Sequence, residues 1–157
     1  MADAKPITTP CTSDLIVECV MDASAAFSDP GLYRSIVGGL QYLSFTRPDI
    51  SFVVNHVSQY QQAPKEVHWS AVKRILRYLQ GTITRGLVFN RSSSLHVHGY
   101  YDASFASCPQ DRKSVTSFAV FLESNLVSWS TRKQKSVARS STESEYRALA
   151  TLACEVI

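Results

Sequence analysis

The chain has 157 residues, 45% of them apolar and 18% charged, a balance that excludes global disorder and leaves room for one or two small domains. Its net charge of +3 is too mild to mark a polyanion-binding protein by itself. There is no apolar run long enough to span a membrane, and residues 1–30 lack the basic and apolar regions of a secretory signal. The four cysteines, Cys11, Cys19, Cys108 and Cys154, have no C-x-x-C spacing. They read as reduced thiols of an intracellular protein, cytoplasmic or nuclear.

Residues 1–30 are weakly patterned. Pro6, Pro10 and Pro30 among Ser, Thr and Asp predict a loosely held arm, acidic because Asp3, Asp14, Glu18, Asp22 and Asp29 face Lys5 alone. A short strand is expected over 14–21. From 32 the spacing turns helical, with apolar side chains at Leu32, Tyr33, Ile36, Val37, Leu40 and Leu43. Gly38 and Gly39 interrupt it at about 1 kcal/mol each, which predicts that they serve close packing. Arg47-Pro48-Asp49 ends this helix and opens another, because Pro fits the first helical position and disfavours helix before it. That second helix covers 49–62, with Ile50, Val53, Val54 and Val57 on one face. Pro64 separates a third, over 65–80, lined by Trp69, Val72, Ile75, Leu76 and Leu79 and stopped by Gly81.

After 86 the period changes to two. Segments 87–89, 95–103, 117–122 and 126–130 read as strands, Glu123-Ser124-Asn125 as a hairpin turn, and 135–138 as a further extended piece. A closing helix starts at 142, with Tyr146, Leu149, Ala150, Ala153 and Val156 as one apolar face. The change of period and the polar stretch 90–94 divide the chain into the arm (1–30), a helical region (31–90) and a strand-rich region (95–157). The class is α+β.

Asp102 and Glu145 carry the most chemistry. Asp102 lies in the strand segment Gly99-Tyr100-Tyr101-Asp102-Ala103 and Glu145 in the first turn of the last helix. A strand carboxylate facing a helix carboxylate is half of a two-metal nuclease site, in which ions roughly 3.5–4 Å apart clamp the attacking and leaving oxygens of a phosphodiester. On spacing alone, Asp102 is better read as a strand-end residue. Glu145 has a competing use in the capping box Thr142-x-x-Glu145, which overlaps Ser140-x-x-Glu143. Lys73, Arg74 and Arg77 form a basic stripe on the third helix, opposite Trp69, Val72 and Leu76. The plain reading is a solvated face; the functional one is phosphate contact. Arg112 and Lys113, with Arg132, Lys133 and Lys135, cluster in loops flanking the strand pair. His96 and His98 share a strand face but are too few for a metal site. Trp69 and Trp129 read as core. No nucleophile–base arrangement, phosphate loop or zinc spacing is present.

Several strings resemble the Pol polyprotein of copia-type LTR retrotransposons, widespread in plant genomes. They are Leu32-Tyr33-Arg34-Ser35-Ile36-Val37-Gly38, Thr46-Arg47-Pro48-Asp49-Ile50, the run from His68-Trp69-Ser70-Ala71-Val72 to Leu79-Gln80-Gly81, Asp111-Arg112-Lys113-Ser114, Val127-Ser128-Trp129-Ser130 and Ser140-Ser141-Thr142-Glu143-Ser144-Glu145-Tyr146. Their order and spacing match as well, over about 7–157. The resemblance implies a reverse-transcriptase thumb and connection for 31–90. From about 95 it implies the start of an RNase H domain, a mixed sheet flanked by helices. It carries the first metal-binding Asp onto Asp102 and the metal-binding Glu onto Glu145, leaving Glu143 as the helix-start charge. It also implies Mg²⁺ or Mn²⁺ as the ion and an RNA–DNA hybrid as the partner. Within the first motif the chain departs from the family. Ser104 and Phe105 stand where the family has a second Asp and a Trp, and Ser107 where it has a Gly. The family's next Asp and the polymerase palm fall outside this sequence. The expected function is therefore that of a Pol fragment, ancestrally hybrid-binding and RNase H-like but inactive alone. A non-catalytic nucleic-acid-binding or interaction module is the second reading, and a remnant without function the third. The half-fold also predicts an open sheet edge and exposed apolar surface at Tyr146, Leu149, Ala153 and Val156, and hence self-association.

Overall fold

A computed structural model describes residues 7–11, 24–92, 94–108 and 110–157, in two compact units divided after Gly86. The strand expected over 14–21 and Cys19 lie outside the described residues.

The first unit is helical. Asp29 caps α1 (Pro30–Leu43) by accepting from the Leu32 N–H at 2.9 Å, and Pro30 supplies a preset first residue. Tyr33, Val37 and Leu40 form its buried stripe. The helix expected over 49–62 is shorter: a 3-10 turn over Pro48–Ile50 runs into α2 (Ser51–Ser58), which buries Val53, Val54 and Val57. In α3 (Glu66–Gly81) the buried residues are His68, Ala71, Val72, Ile75 and Tyr78. These faces close one core, to which the Tyr33 hydroxyl adds a hydrogen bond to the Val57 carbonyl at 2.8 Å.

Gly38 and Gly39 do not serve close packing. A Cβ at either would meet nothing within 4 Å, because both sit on the outer side of α1. Gly38→Ala and Gly39→Ala should each therefore stabilise the unit by about 0.5–1 kcal/mol, through helix propensity and a less flexible unfolded chain. Urea denaturation measures this, and a loss of stability would show a contact at these positions.

The described part of the arm is built into this unit. Phe27 is buried, stacks on Trp69 with centroids 4.8 Å apart, and donates its N–H to the Pro64 carbonyl. Ile7 and Cys11 pack against the same core.

A buried clasp ties the start of α2 to the end of α3. Arg47, 6% exposed, grips Asp49 with two hydrogen bonds of 2.9 and 2.7 Å and reaches the Thr82 carbonyl and hydroxyl at 3.0 and 2.8 Å. Tyr78 donates its hydroxyl to Asp49 at 2.7 Å. The Arg47 guanidinium holds the Asp49 carboxyl below its usual range, helped by Tyr78.

The second unit is a three-stranded antiparallel sheet, in the order β1 (Val97–Ser104), β2 (Val115–Leu122), β3 (Asn125–Lys133), with α4 (Ser141–Val156) packed on β1 and β2. The segments 87–89 and 135–138 are not strands. The turn between β2 and β3 sits at Glu123–Ser124. Glu123 there adopts a φ of 53°, and its carboxylate accepts from the Ser94 hydroxyl and the His96 N–H.

The apolar face of the last helix is uncovered, as the half-fold predicts: Tyr146, Leu149, Ala153 and Val156 are exposed, while Ser144, Ala148 and Leu152 are buried. Small residues win there because the sheet comes close: a Cβ at Gly99 would lie 2.8 Å from Leu152 Cδ1. The Ser144 hydroxyl is satisfied within the helix by the Ser141 carbonyl at 2.6 Å.

Candidate metal and nucleic-acid contact residues

Three contacts fix how α4 lies on the sheet. Leu152 meets Gly99. Gln134 donates from one Nε2 to the Thr116 hydroxyl and the Ser144 carbonyl, both at 3.0 Å, and Thr116 pairs with Ala103. Ser128, in register with Val120 and so with Gly99, donates to Glu155 at 2.7 Å. The helix therefore runs antiparallel to β1. Eight helical residues rise about 12 Å and four strand residues about 13 Å, so 144–152 spans the same length as 103–99. Glu145 falls at the level of Asp102 and Ala103.

The rotation of α4 is fixed too. Arg147 reaches back to Ser136 just past β3, and Glu155 meets β3 itself. The opposite flank, with Glu145, Leu149 and Val156, then lies on the β1 side. Asp102 and Glu145 thus share one end and one edge of the sheet. They do not share a face. Gly99 and Ala103 point to the side α4 covers, so strand alternation turns Asp102 to the other side, with Tyr100 and His98.

Neither carboxylate is committed elsewhere. The cap of α4 is Ser140, which accepts from the Glu143 N–H at 3.1 Å, while Glu143 accepts from the Arg139 N–H at 2.7 Å and pairs with Arg147. Those contacts hold the Glu143 carboxyl below its usual range, the Arg139 N–H contributing most. The capping use open to Glu145 is therefore taken by Glu143. Among the described residues neither Asp102 nor Glu145 makes a side-chain hydrogen bond or ion pair; Asp102 is exposed and Glu145 half-buried. No group of three or more His, Cys, Asp or Glu is placed to hold a metal among the described residues. Two carboxylates on different faces fall short of a two-ion centre, although one hydrated Mg²⁺ tolerates so sparse a donor set.

The basic residues divide. Lys73, Arg74 and Arg77 are half-buried rather than an open stripe. Arg74 is tied to the arm through the Thr9 hydroxyl at 3.0 Å. Arg112 is exposed in the loop before β2, at a φ of 53°. Lys113 lies 3.7 Å from Asp111, which also draws Lys133 at 3.5 Å. His96 and His98 stand with ring centroids 5.6 Å apart, and His98 stacks on Phe121.

The Arg47 clasp was not legible as a unit in the sequence; the signal available was the pairing of Thr46-Arg47-Pro48-Asp49 with a distant Tyr78 and Thr82. Among the described residues no helix is long and apolar enough to cross a membrane, and Cys11, Cys108 and Cys154 form no disulfide.

Comparison with known proteins gives relatives over nearly the whole chain. It is 44% identical, over 99% of its length, to the Retrovirus-related Pol polyprotein from transposon RE2 of Arabidopsis thaliana, of which it spans 11%. An uncharacterized mitochondrial protein of the same plant is 46% identical over 99% of the chain, which covers 64% of that protein. The secreted RxLR effector protein 161 of Plasmopara viticola is 43% identical over 80% of the chain, which covers 89% of it. No family model matches, and no solved structure matches.

Proposed function

Because this chain belongs to the copia-type retrotransposon Pol polyproteins, we propose that it is a hybrid-engaging Pol segment. In this reading the helical unit is thumb- and connection-like, and the sheet–helix unit is the opening of an RNase H fold. The observation that carries it is the uncommitted state of Glu145. Glu145 is half-buried and has no side-chain hydrogen-bond or ion-pair partner among the described residues, and the nearby Glu143 has taken the structural work. Glu145 stands at the level of a second uncommitted carboxylate, Asp102, beside an open strand edge.

Bound Mg²⁺ or Mn²⁺ would supply Lewis acidity and an activated water for phosphodiester hydrolysis. Asp102 and Glu145 would be two of the oxygen donors. As placed they do not make a two-ion site between them, so no cleavage step is assigned to this chain. Its own residues bind and orient the duplex. Arg112 and Lys113 on the sheet–helix unit, and Lys73 and Arg77 on α3, meet phosphates without reading sequence.

A cleavage assay on a labelled RNA–DNA hybrid, in Mg²⁺ and in Mn²⁺, tests the assignment of the carboxylates. The expected result is no cleavage above the Asp102→Asn background, since losing one member of a catalytic unit removes most of its rate. Cleavage abolished by Asp102→Asn would show a complete site and overturn this part of the reading.

A further inference from the structure

Of the six prolines in the sequence, only Pro10 directly follows a serine or threonine. A residue before proline is held extended. That residue, Thr9, is exposed, and segment 7–11 forms neither helix nor strand. A protein kinase therefore has access here to an extended, hydroxyl-bearing peptide.

The hydroxyl already has a cationic partner. Thr9 Oγ accepts a hydrogen bond from Arg74 Nη2 at 3.0 Å. Arg74 Nε lies buried on the same edge of the guanidinium and has no hydrogen-bond partner. That edge, Nε with Nη2, is the one that grips two oxygens of a phosphate side on. The hydroxyl fills only one of its two places. A buried donor without an acceptor is costly, and a phosphoryl group on Thr9 sets further oxygens one bond beyond the hydroxyl, towards it. The surroundings are basic as well. Lys73 and Arg77 lie on the same helix, Arg77 one turn from Arg74, and no Asp or Glu occurs between 67 and 101.

We propose that Thr9 is a phosphorylation site and that Arg74 receives the phosphate, pinning segment 7–11 to α3. In the transfer, Thr9 Oγ attacks the terminal phosphorus of a nucleoside triphosphate held by a proline-directed protein kinase. The Oγ–P bond forms, the bond to the diphosphate leaving group breaks, and the hydroxyl proton passes to the kinase's catalytic carboxylate. The product carries a charge of about −1.5 to −2 at neutral pH. Against Arg74 it gains charge-assisted hydrogen bonds that the hydroxyl lacks. Ile7 and Cys11, packed on the helical core at either side of Thr9, hold the segment in place for it. The site belongs to the helical unit alone and does not depend on the hybrid-binding reading.

The test treats the whole chain with a proline-directed protein kinase and ATP. The expected product carries one phosphoryl group, mapped to Thr9 by peptide mass spectrometry and absent from Thr9→Ala. Phosphorus NMR then follows the second ionisation of that phosphate, at about pH 6 when it has no partner. In the folded chain it should fall about half a unit or more below its value in the same chain unfolded in urea, because a guanidinium favours the dianion. Arg74→Gln should return it to the unfolded value. Arg74→Lys, which keeps the charge without the fork, should retain part of the shift. Circular dichroism on each variant shows that the fold is kept. A chain that the kinase leaves unmodified at Thr9 would overturn the proposal. So would a phosphate that ionises alike in the folded and unfolded chain, or a shift that survives Arg74→Gln.

Discussion

Arg47→Leu lowers the stability of the helical unit by about 3 kcal/mol. The guanidinium is buried and makes four hydrogen bonds, two to Asp49 and two to Thr82. Leucine fills part of the volume but leaves the Thr82 carbonyl and the Asp49 carboxylate without their donor. Breaking one side of a buried pair costs about 3–5 kcal/mol. The lower end applies because the Asp49 side chain is 36% exposed and regains some water. Asp49→Asn, which keeps an acceptor for Tyr78, should cost less. Urea unfolding followed by Trp69 fluorescence, with Trp129→Phe to remove the other signal, measures both. A change under about 1 kcal/mol on Arg47→Leu would show that the clasp is not a stabilising element.

The same pair gives a pH signature with a definite sign. Arg47 lowers the carboxyl of Asp49 in the folded chain, so the native state binds that proton less readily than the unfolded state. The stabilisation is present above the unfolded carboxylate pKa of about 3.9 and is lost as pH falls through the lower folded value. The gap between the parent and Arg47→Leu should narrow as pH falls below about 4, to the part that the two Thr82 hydrogen bonds contribute.

Phe118→Ala is expected to cost the sheet–helix unit about 3–4 kcal/mol. The core there is small, with Phe118, Val120 and Leu152 at its centre and Ala103 and Ala148 beside them. Phe118 is the largest of these, and α4 cannot move inward to fill its place because Leu152 already presses on Gly99. A unit of this size holds roughly 4–11 kcal/mol in total, at about 0.05–0.15 kcal/mol per residue. The variant should therefore lose about a third or more of its stability. Trp129 fluorescence in a Trp69→Phe background reports it. A cooperative transition within about 1 kcal/mol of the parent would contradict this view of the core.

Local chemistry was readable where it acts locally. Pro48 opens a helical segment, Tyr33, Val37 and Leu40 keep the period of α1, and the change to period two falls beside the division of units after Gly86, whereas Pro30, which reads as part of the arm, is the first residue of α1. The misreadings concern tertiary placement. Gly38 and Gly39 look like packing residues in a string, yet they face open space. The exposure of Tyr146, Leu149 and Val156 follows from the half-fold, but that the sheet accepts Ser144 and Ala148 instead has no mark in the string, because the closeness at Gly99 is a property of two segments together. The Arg47 clasp joins residues 35 positions apart, beyond any periodic pattern. For the candidate site, the residue types of Asp102 and Glu145 and their elements were legible. Their faces were not, since these depend on the register and rotation of α4.

The measurement that bears most directly on the account is the affinity of the purified chain for a fluorescent RNA–DNA hybrid, by anisotropy, from 50 to 200 mM salt. The expected result is sequence-independent binding that weakens steeply with salt, with the slope reduced by roughly one unit for each cation lost from Arg112→Ala/Lys113→Ala and from Lys73→Ala/Arg77→Ala. An absence of binding at 50 mM salt, or binding with a slope that none of these substitutions changes, would contradict it.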